Sequence, residues 1–452
     1  TKNRIIKPFS SMVIVKNLNT RAQREKSIKR KTYYVVILIL LTCLIVWEIR
    51  QSLSINTTPG LRQLSGDPPP SDRIAPPLVV NSDVSKKVAT VGYAVSITGC
   101  GADPLIEGAA VLKHAIHQSS VKYDYKMYAI VHPDGEECGS QLANVGYTIL
   151  MRDTPVAVED IKGEYLRTKI KDNGCCGEKE LIKLEAYTII QHPIVVHLDL
   201  DTLVLQPMDK VFDYMLGEAS ESSIQSVIQW KDLPIPQGEI NAFFTRDYNM
   251  VNPGTKYKPV QGGFLVLRPS METYNNFVDI VREGDFRGGS GWGGKVGPFY
   301  GSMTFQGLIP YYYDYLHPNT SLELNHCIYN QMCDNPRVDP TVKDVVHGKC
   351  RTGEDHCEDC RSRPIEDVVT AHFTLCQKPW WCLPQSGDRI QERLCRKLHG
   401  QWYRIRSDLE KSWGRSGQGS GSYDVDQFKG YCKRHGKTGY IPIEKPYNML
   451  LE

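Results

Sequence analysis

The stretch that decides the fold is residues 195–205, which read Val-Val-His-Leu-Asp-Leu-Asp-Thr-Leu-Val-Leu. Apart from one histidine, the run before Asp199 is apolar, which is typical of an interior strand of a parallel sheet, buried on both faces. If the strand continues, the side chains of Asp199 and Asp201 leave it on the same side and converge at its carboxyl end. Ligands of open α/β sheets bind beyond these ends, and carboxylate oxygens suit hard divalent cations. The stretch therefore predicts a cation site at a sheet edge.

The residues around this stretch alternate apolar strands with amphipathic helices. Strands are predicted at about 93–97, 127–131 and 147–150, and helices at about 106–118 and 178–191. Such alternation indicates βαβ units and therefore an α/β fold with a parallel sheet.

The first part of the chain predicts a membrane anchor rather than part of this sheet. Residues 1–31 carry ten Lys or Arg against one Glu and form a basic tail. Residues 32–49 are a largely apolar segment near the lower length limit of a transmembrane helix, with aromatic residues at its ends. No small-residue cleavage site follows, which favours a signal anchor over a cleaved signal peptide. Residues 50–88, which are rich in Pro and polar residues, are predicted to be a stem.

The distribution of charge predicts the topology and the cellular compartment of the protein. The chain is +3 overall but its tail is +9, so the rest sums to −6 and offers little for nucleic-acid binding. Positive charge before the anchor places the tail in the cytoplasm and the remainder in a lumen. The short anchor suits a membrane of the early secretory pathway, and we expect a single-pass type II Golgi protein.

Fourteen cysteines agree with an oxidising lumen, and eight of them lie between Cys327 and Cys395. A disulfide framework is the expected reading of such a cluster. The alternative is a zinc module around Cys357 and Cys360, since Cys-x-x-Cys near histidines has ligand spacing. The connectivity cannot be read from the sequence.

Two glycine motifs argue against common nucleotide folds. Residues 99–101 supply only the first Gly-x-Gly of a dinucleotide fingerprint. Residues 289–295 match the Gly-x-x-x-x-Gly-Lys frame of a phosphate loop, but Val296 stands where Ser or Thr should hold magnesium. We interpret this segment as a mobile glycine-rich surface loop that could close over a ligand.

Four motifs in order resemble those of family 8 glycosyltransferases, the glycogenin-like retaining enzymes. They are residues 181–187 (Leu-Ile-Lys-Leu-Glu-Ala-Tyr), 197–205, 260–270 (Val-Gln-Gly-Gly-Phe-Leu-Val-Leu-Arg-Pro-Ser), and His372-Phe373 with residues 378–380. The resemblance implies a GT-A fold, a Rossmann-like nucleotide-diphospho-sugar transferase domain, over residues 89–385. A Cys-rich insertion at 319–370 and a C-terminal extension at 386–452 lie outside the motifs.

The resemblance also implies the residues of the site. Asp199, Asp201 and His372 would hold Mn²⁺ or another divalent cation against the donor diphosphate. Lys378 matches the family lysine that touches the leaving diphosphate, and Lys183 matches a helix lysine near the donor. Leu200, Gly262 and Gly263 belong to the same donor pocket.

Three further positions follow from the resemblance less directly. Asp247 is the candidate acid that hydrogen-bonds the donor sugar, and Thr98 the candidate contact to the base or ribose. The family often has Asp before Gln-Gly-Leu, whereas Phe305 stands here before Gln306. Gln306 could approach the reacting face of the sugar, but a neutral amide is a poor nucleophile.

The implied function is metal-dependent, retaining transfer of a sugar from a nucleotide donor, typically UDP-linked, to a glycan, protein or lipid acceptor. Because Phe305 removes an expected charge, the alternative is an inactive relative that acts as a carbohydrate-binding or scaffolding subunit. Neither the sugar nor the acceptor can be read from the sequence.

Overall fold

The computed structural model describes residues 89–101, 104–332, 345–346, 349–356, 358–382, 394–414, 432–433 and 438–443. The predicted tail, anchor and stem lie outside these residues. Within the described ranges, no helix is long and apolar enough to cross a bilayer.

The described residues form a mixed, mainly parallel sheet. Its strands are β1 (Thr90–Ile97), β2 (Asp124–Val131), β3 (Thr148–Met151), β4 (Val195–Leu198), β6 (Ala242–Arg246), β7 (Val260–Leu267) and β10 (Ser321–Glu323), with β5 (Thr202–Val204) directly after β4. The order across the sheet is β10-β6-β7-β4-β1-β2-β3. Only β7 runs against its neighbours β4 and β6, and the other pairs are parallel. The predicted α/β class is therefore confirmed.

Short two-stranded ladders surround the sheet. They are β8 (Phe286–Arg287) with β9 (Gly291–Trp292), β11 (Val345–Val346) with β12 (Lys349–Cys350), β13 (Thr370–His372) with β5, and β14 (Cys432–Lys433) with β15 (Thr438–Tyr440). The ladder of β13 with β5 has the most direct bearing on function, because it brings a distant segment to the carboxyl end of β4.

Helices pack on the sheet. The α-helices are α1 (Leu105–Ser119), α2 (Glu136–Asn144), α3 (Glu164–Lys169), α4 (Asp209–Met215), α5 (Glu221–Gln225), α6 (Met271–Glu283), α7 (Phe305–Pro310) and α8 (Leu394–Ser412). Single 3₁₀ turns, a 3₁₀ helix at Gly177–Thr188 and a π-helix at Tyr311–Leu316 connect them. The predicted first helix is confirmed, whereas the helix predicted at 178–191 is 3₁₀ and ends at Thr188.

Strand β4 is buried on both faces, as predicted. Val196 and Leu198 belong to the core that includes α1, and Val195 belongs to the core that includes α6 and α7. Each of these side chains is at most 1% exposed. Because successive strand residues point to opposite faces, a continuous apolar run is what this central position requires.

Nine of the eleven cysteines that the structure describes form disulfides, as predicted, and Cys175 and Cys176 are free thiols. The bonds are Cys100–Cys138, Cys327–Cys360, Cys376–Cys395 and Cys382–Cys432, and Cys350 is also disulfide-bonded. The zinc alternative loses Cys360 as a thiolate ligand, and Cys357 lies outside the described residues. Two of the bonds attach α8 and β14, both beyond residue 385, to the segment that carries Lys378.

The glycine-rich segment is anchored rather than mobile at its centre. Trp292 is completely buried, and its Nε1 donates to the Ser302 carbonyl at 2.7 Å. The interpretation as a mobile loop is therefore wrong for Trp292, because the indole is part of the core. Lys295, three residues further on, is exposed.

A buried histidine of α8 predicts loss of stability in acid. Burial lowers the pKa of His399 to about 4, despite hydrogen bonds to the carbonyls of Cys376 and Gln377. The unfolded chain takes up this proton near pH 6.5. It therefore binds more protons than the folded chain between about pH 6.5 and 4, and stability falls as the pH drops through this window. At pH 5 the loss is about 2 kcal/mol.

The check is urea unfolding of the disulfide-intact protein between pH 7 and 4.5. His399→Gln should flatten the pH dependence by about one proton. If the free energy of unfolding depended on pH in His399→Gln as it does in the wild type, the assignment of a buried neutral imidazole would be contradicted.

Candidate active site

The two aspartates lie in a tight turn between β4 and β5. The Asp199 amide donates to the Gly263 carbonyl at 3.0 Å, and the Thr202 amide donates to the Asp199 carbonyl at 3.0 Å. The expectation that β4 continues through both aspartates is wrong, because the strand ends at Leu198. The side chain of Leu200 packs into the core and anchors the turn, so the carboxylates still converge at the carboxyl end of β4.

His372 reaches the aspartates through the β13–β5 ladder. This ladder pairs His372 with Thr202, and the Phe373 amide donates to the Asp201 carbonyl at 2.9 Å. His372 Nε2 lies 3.2 Å from Asp201 Oδ1 and 3.9 Å from Asp199 Oδ2. One ligand atom from each of the three residues lies within 4.8 Å of the others. The structure thus brings together the three predicted metal ligands.

The surroundings of this cluster fit a divalent cation. His372 is buried and its Nδ1 has no hydrogen-bond partner among the described residues. A Cβ on Gly263 would lie 2.4 Å from His372 Cε1 and 2.8 Å from Asp199 Oδ2. Gly263 is therefore required by the close approach of the two ligands. Two carboxylates with one imidazole form a donor set that shifts preference from Mg²⁺ towards Mn²⁺.

Lys183 balances the charge of Asp199. Its Nζ donates to Asp199 Oδ1 at 2.9 Å and to the Gly262 carbonyl at 3.1 Å, and lies 3.5 Å from Glu180 Oε1. Burial opposes the charged form, but Asp199 and Glu180 outweigh it and raise the pKa of Lys183. The lysine is thus held as a cation inside the protein. Glu180 was not predicted, although its i, i+3 spacing from Lys183 is the sequence signal for it.

Lys378 holds the second aspartate in the same way. Its Nζ donates to Asp201 Oδ2 at 2.6 Å and lies 5.4 Å from the centre of the Trp381 ring. Burial alone would raise the pKa of Asp201, but His372 and Lys378 lower it overall. For His372, burial opposes protonation, yet Asp201 and Asp199 raise its pKa. The site is therefore a compact arrangement of two carboxylates and three basic side chains.

Asp247 is buried at the carboxyl end of β6. It is 4% exposed and its Oδ1 accepts the Asn249 amide at 3.1 Å. Burial raises the pKa of Asp247, and the hydrogen bonds from Asn249 and the charges of His372 and Arg351 partly offset that effect. The charge of His372, one of the candidate metal ligands, thus acts on this predicted residue.

A packed ring stands at the position where the sequence resemblance implies an aspartate. Phe305 is completely buried, with its ring 5.9 Å from the His197 ring and 6.0 Å from Lys183 Nζ. Gln306 follows it on α7 and lies against Gly262, where an added Cβ would come within 3.1 Å of Gln306 Cγ. The structure thus brings Gln306 to the two-glycine strand.

Thr98 directly follows β1, the neighbour of β4 in the sheet. Its side chain hydrogen-bonds Cys176, whose Sγ lies 2.8 Å from Cys175 Sγ. Cys175 Sγ in turn donates to Glu180 Oε1 at 3.1 Å. Thr98 is therefore linked to the Lys183 cluster through a pair of free thiols, a connection that the sequence did not reveal.

A buried amide network supports Gly263. Gln261 Oε1 accepts the Gly263 amide at 2.7 Å and the Asn330 Nδ2 at 3.2 Å, and Asn330 Nδ2 also donates to Thr245 Oγ1 at 2.9 Å. Asn330 has φ 52°, a left-handed conformation that asparagine tolerates better than most residues. No sequence motif pointed to Asn330, because its partners are 69 and 85 residues away.

No protein-family model and no curated protein matches the sequence. Among solved structures, mouse xyloside xylosyltransferase 1 in its apo form is similar, with 12% identity and a TM-score of 0.38 over 63% of this chain and 97% of its own. The galactosyltransferase LgtC, solved with donor and acceptor sugar analogs, has 14% identity and a TM-score of 0.34 over 72% of this chain and 95% of its own. The glycosyltransferase GlyE of Streptococcus pneumoniae has 12% identity and a TM-score of 0.37 over 73% of this chain and 64% of its own. These values are low, so the functional proposal below rests on the side chains.

Proposed function

We propose that the protein is a metal-dependent, retaining glycosyltransferase of the GT-A type that uses a nucleotide-sugar donor, most simply a UDP-sugar. The observation that carries this proposal is the convergence of Asp199, Asp201 and His372 at the carboxyl edge of the sheet, with Lys183 and Lys378 bonded to the two carboxylates. Family 8 motifs in the same order along the chain support it. Acidic side chains with flanking cations suit a cation and a diphosphate together.

Each charged side chain of the site can be assigned a role toward the donor diphosphate. A divalent cation held by Asp199, Asp201 and His372 would neutralise the charge that develops as the sugar–phosphate bond breaks. Lys378 is partly exposed and can turn from Asp201 to a phosphate oxygen. Lys183 is almost fully buried, so we assign it to holding Asp199 in place and to the donor side of the pocket.

Retention follows most simply from attack on the front face of the sugar. The acceptor hydroxyl oxygen bonds to the anomeric carbon as the bond to the phosphate oxygen breaks, and the hydroxyl proton passes to the leaving diphosphate. This route needs no enzyme nucleophile, which accords with Phe305 in place of an acid. Gln306 and Asp247 are then assigned to positioning the sugar through hydrogen bonds.

The cellular context of this proposal comes from the sequence. A basic tail, an anchor at 32–49 and a stem at 50–88 would hold the catalytic domain in the Golgi lumen, facing glycan, protein or lipid acceptors. The disulfides of the described residues accord with an oxidising compartment.

The test is UDP release by the full-length protein across a panel of UDP-sugars with Mn²⁺. We expect release with at least one donor, its loss on chelation, and its loss in Asp199→Ala. Equal release by Asp199→Ala and the wild type would contradict the metal role. The packed ring of Phe305 favours one alternative, an inactive carbohydrate-binding relative, which predicts UDP-sugar binding by calorimetry without turnover.

A further inference from the structure

A cavity of about 400 Å³ lies between the β6–β7 loop, residues 295–299 and Arg351. One wall is the loop between β6 and β7, with Asn249, Lys256 and Tyr257. Because β6 runs parallel to β4, this loop leaves the sheet at the same edge as the two aspartates. The volume is within the range of small-molecule pockets.

The remaining walls of the cavity are formed by residues 297–299 and by Arg351. Gly297, Pro298 and Phe299 line the cavity, and two residues later Gly301 packs against Gln306. Arg351 lines it as well, and its charge interacts with Asp247. The cavity is therefore linked to Asp247 through the charge of Arg351, and its wall at 297–299 leads along the chain to the contact between Gly301 and Gln306.

The lining of the cavity is strongly cationic. It contains Lys256, Lys295 and Arg351, and the lining residues that the structure describes include no carboxylate. Within the described part of the chain, neither Lys256 nor Lys295 pairs with an acidic group, and both are exposed. Lys256 Nζ lies 4.9 Å from the centre of the Tyr257 ring. The exposed ammonium groups of Lys256 and Lys295 favour an anion, and the aromatic rings of Tyr257 and Phe299 offer a face for a sugar.

We propose that this cavity, the anion pocket, binds an acidic glycan acceptor, and that Lys256 and Lys295 recognise its carboxylate, sulfate or phosphate group. The inference rests on the proposed function, since it assigns the acceptor class for the same reaction. Lys295 belongs to the Gly-x-x-x-x-Gly-Lys segment, which then serves acceptor binding rather than a nucleotide phosphate. The anchoring of Trp292 in the core holds the backbone that presents this lysine.

The test measures the binding of matched sugars to the full-length protein by calorimetry, with UDP and Mn²⁺ present. The probes are a glucuronate-containing disaccharide, a 6-sulfated disaccharide and mannose 6-phosphate, each beside its neutral parent, so that the source of the charge is resolved. We expect at least one acidic probe to bind about tenfold or more tightly than its parent. Lys256→Gln with Lys295→Gln should raise the Kd of that probe by about tenfold or more.

Two controls keep this result separate from the proposed function. Lys411→Gln changes an exposed lysine of α8 that does not line the cavity, and it should leave the Kd unchanged. UDP release in the absence of acceptor should be the same in the double variant and the wild type, and a wild type that releases no UDP would count against the proposed function alone. If no acidic probe binds more tightly than its parent, or if the double variant binds the preferred probe as well as the wild type does, the anion pocket is overturned.

Discussion

Asp201→Asn is expected to lower the rate of UDP release roughly a thousandfold, because several kcal/mol of stabilisation of the leaving diphosphate depends on the cation. Asp201 is the centre of the candidate site, where it contacts His372 and Lys378. The amide retains the size of the carboxylate but removes a charged ligand and leaves two basic side chains without their common counter-charge. The measurement is UDP release under saturating Mn²⁺ with the donor found in the screen.

Asp279→Asn is the matched control for this substitution. Asp279 is exposed on α6 and pairs with Arg282 one turn away, so the same chemical change should leave UDP release unchanged. The urea midpoint of each variant separates loss of the site from loss of the fold. A folded Asp201→Asn protein with wild-type turnover would contradict the role assigned to this carboxylate.

Gly263→Ala is expected to weaken Mn²⁺ binding about ten- to a hundredfold, the range found when groups that position metal ligands are altered. The added methyl group would stand 2.4 Å from His372 Cε1 and 2.8 Å from Asp199 Oδ2, so at least one ligand must move. Calorimetric titration with Mn²⁺ measures the change.

Gly289→Ala is the matched control for Gly263→Ala. No atom lies within 4 Å of the position that a Cβ would take at Gly289, so the same added methyl group meets nothing among the described residues. We expect its Mn²⁺ affinity to equal that of the wild type. Equal affinities in Gly263→Ala and Gly289→Ala would show that the close approach of His372 and Asp199 is not needed for binding.

Local pattern was enough to predict the central strand and the convergence of Asp199 and Asp201 at its carboxyl end. The apolar run before Asp199 could only be an interior strand, and both cores confirm it. The order of the motifs predicted that His372, 171 residues downstream of Asp201, lies beside the two aspartates, and the structure places it there. The lysines at 183 and 378, each predicted from its motif, donate hydrogen bonds to Asp199 and Asp201.

Features that depend on tertiary contacts could not be predicted from the sequence. The turn at Asp199 is set by its hydrogen bond to Gly263, which the hydrophobic period does not encode. Asn330 reaches Gln261 and Thr245 across long sequence separations, and Thr98 reaches Cys176 in the same way. Trp292 was misread because glycine-rich composition indicates a surface loop, whereas the burial of one indole decides otherwise.

The most direct test of the proposed function is a Mn²⁺ titration of the full-length protein by electron paramagnetic resonance, with and without UDP. The site built from Asp199, Asp201 and His372 predicts one bound Mn²⁺ per chain, tighter binding when UDP is present, and loss of that ion in Asp201→Asn. Absence of bound Mn²⁺, or binding that neither UDP nor Asp201→Asn changes, would contradict it.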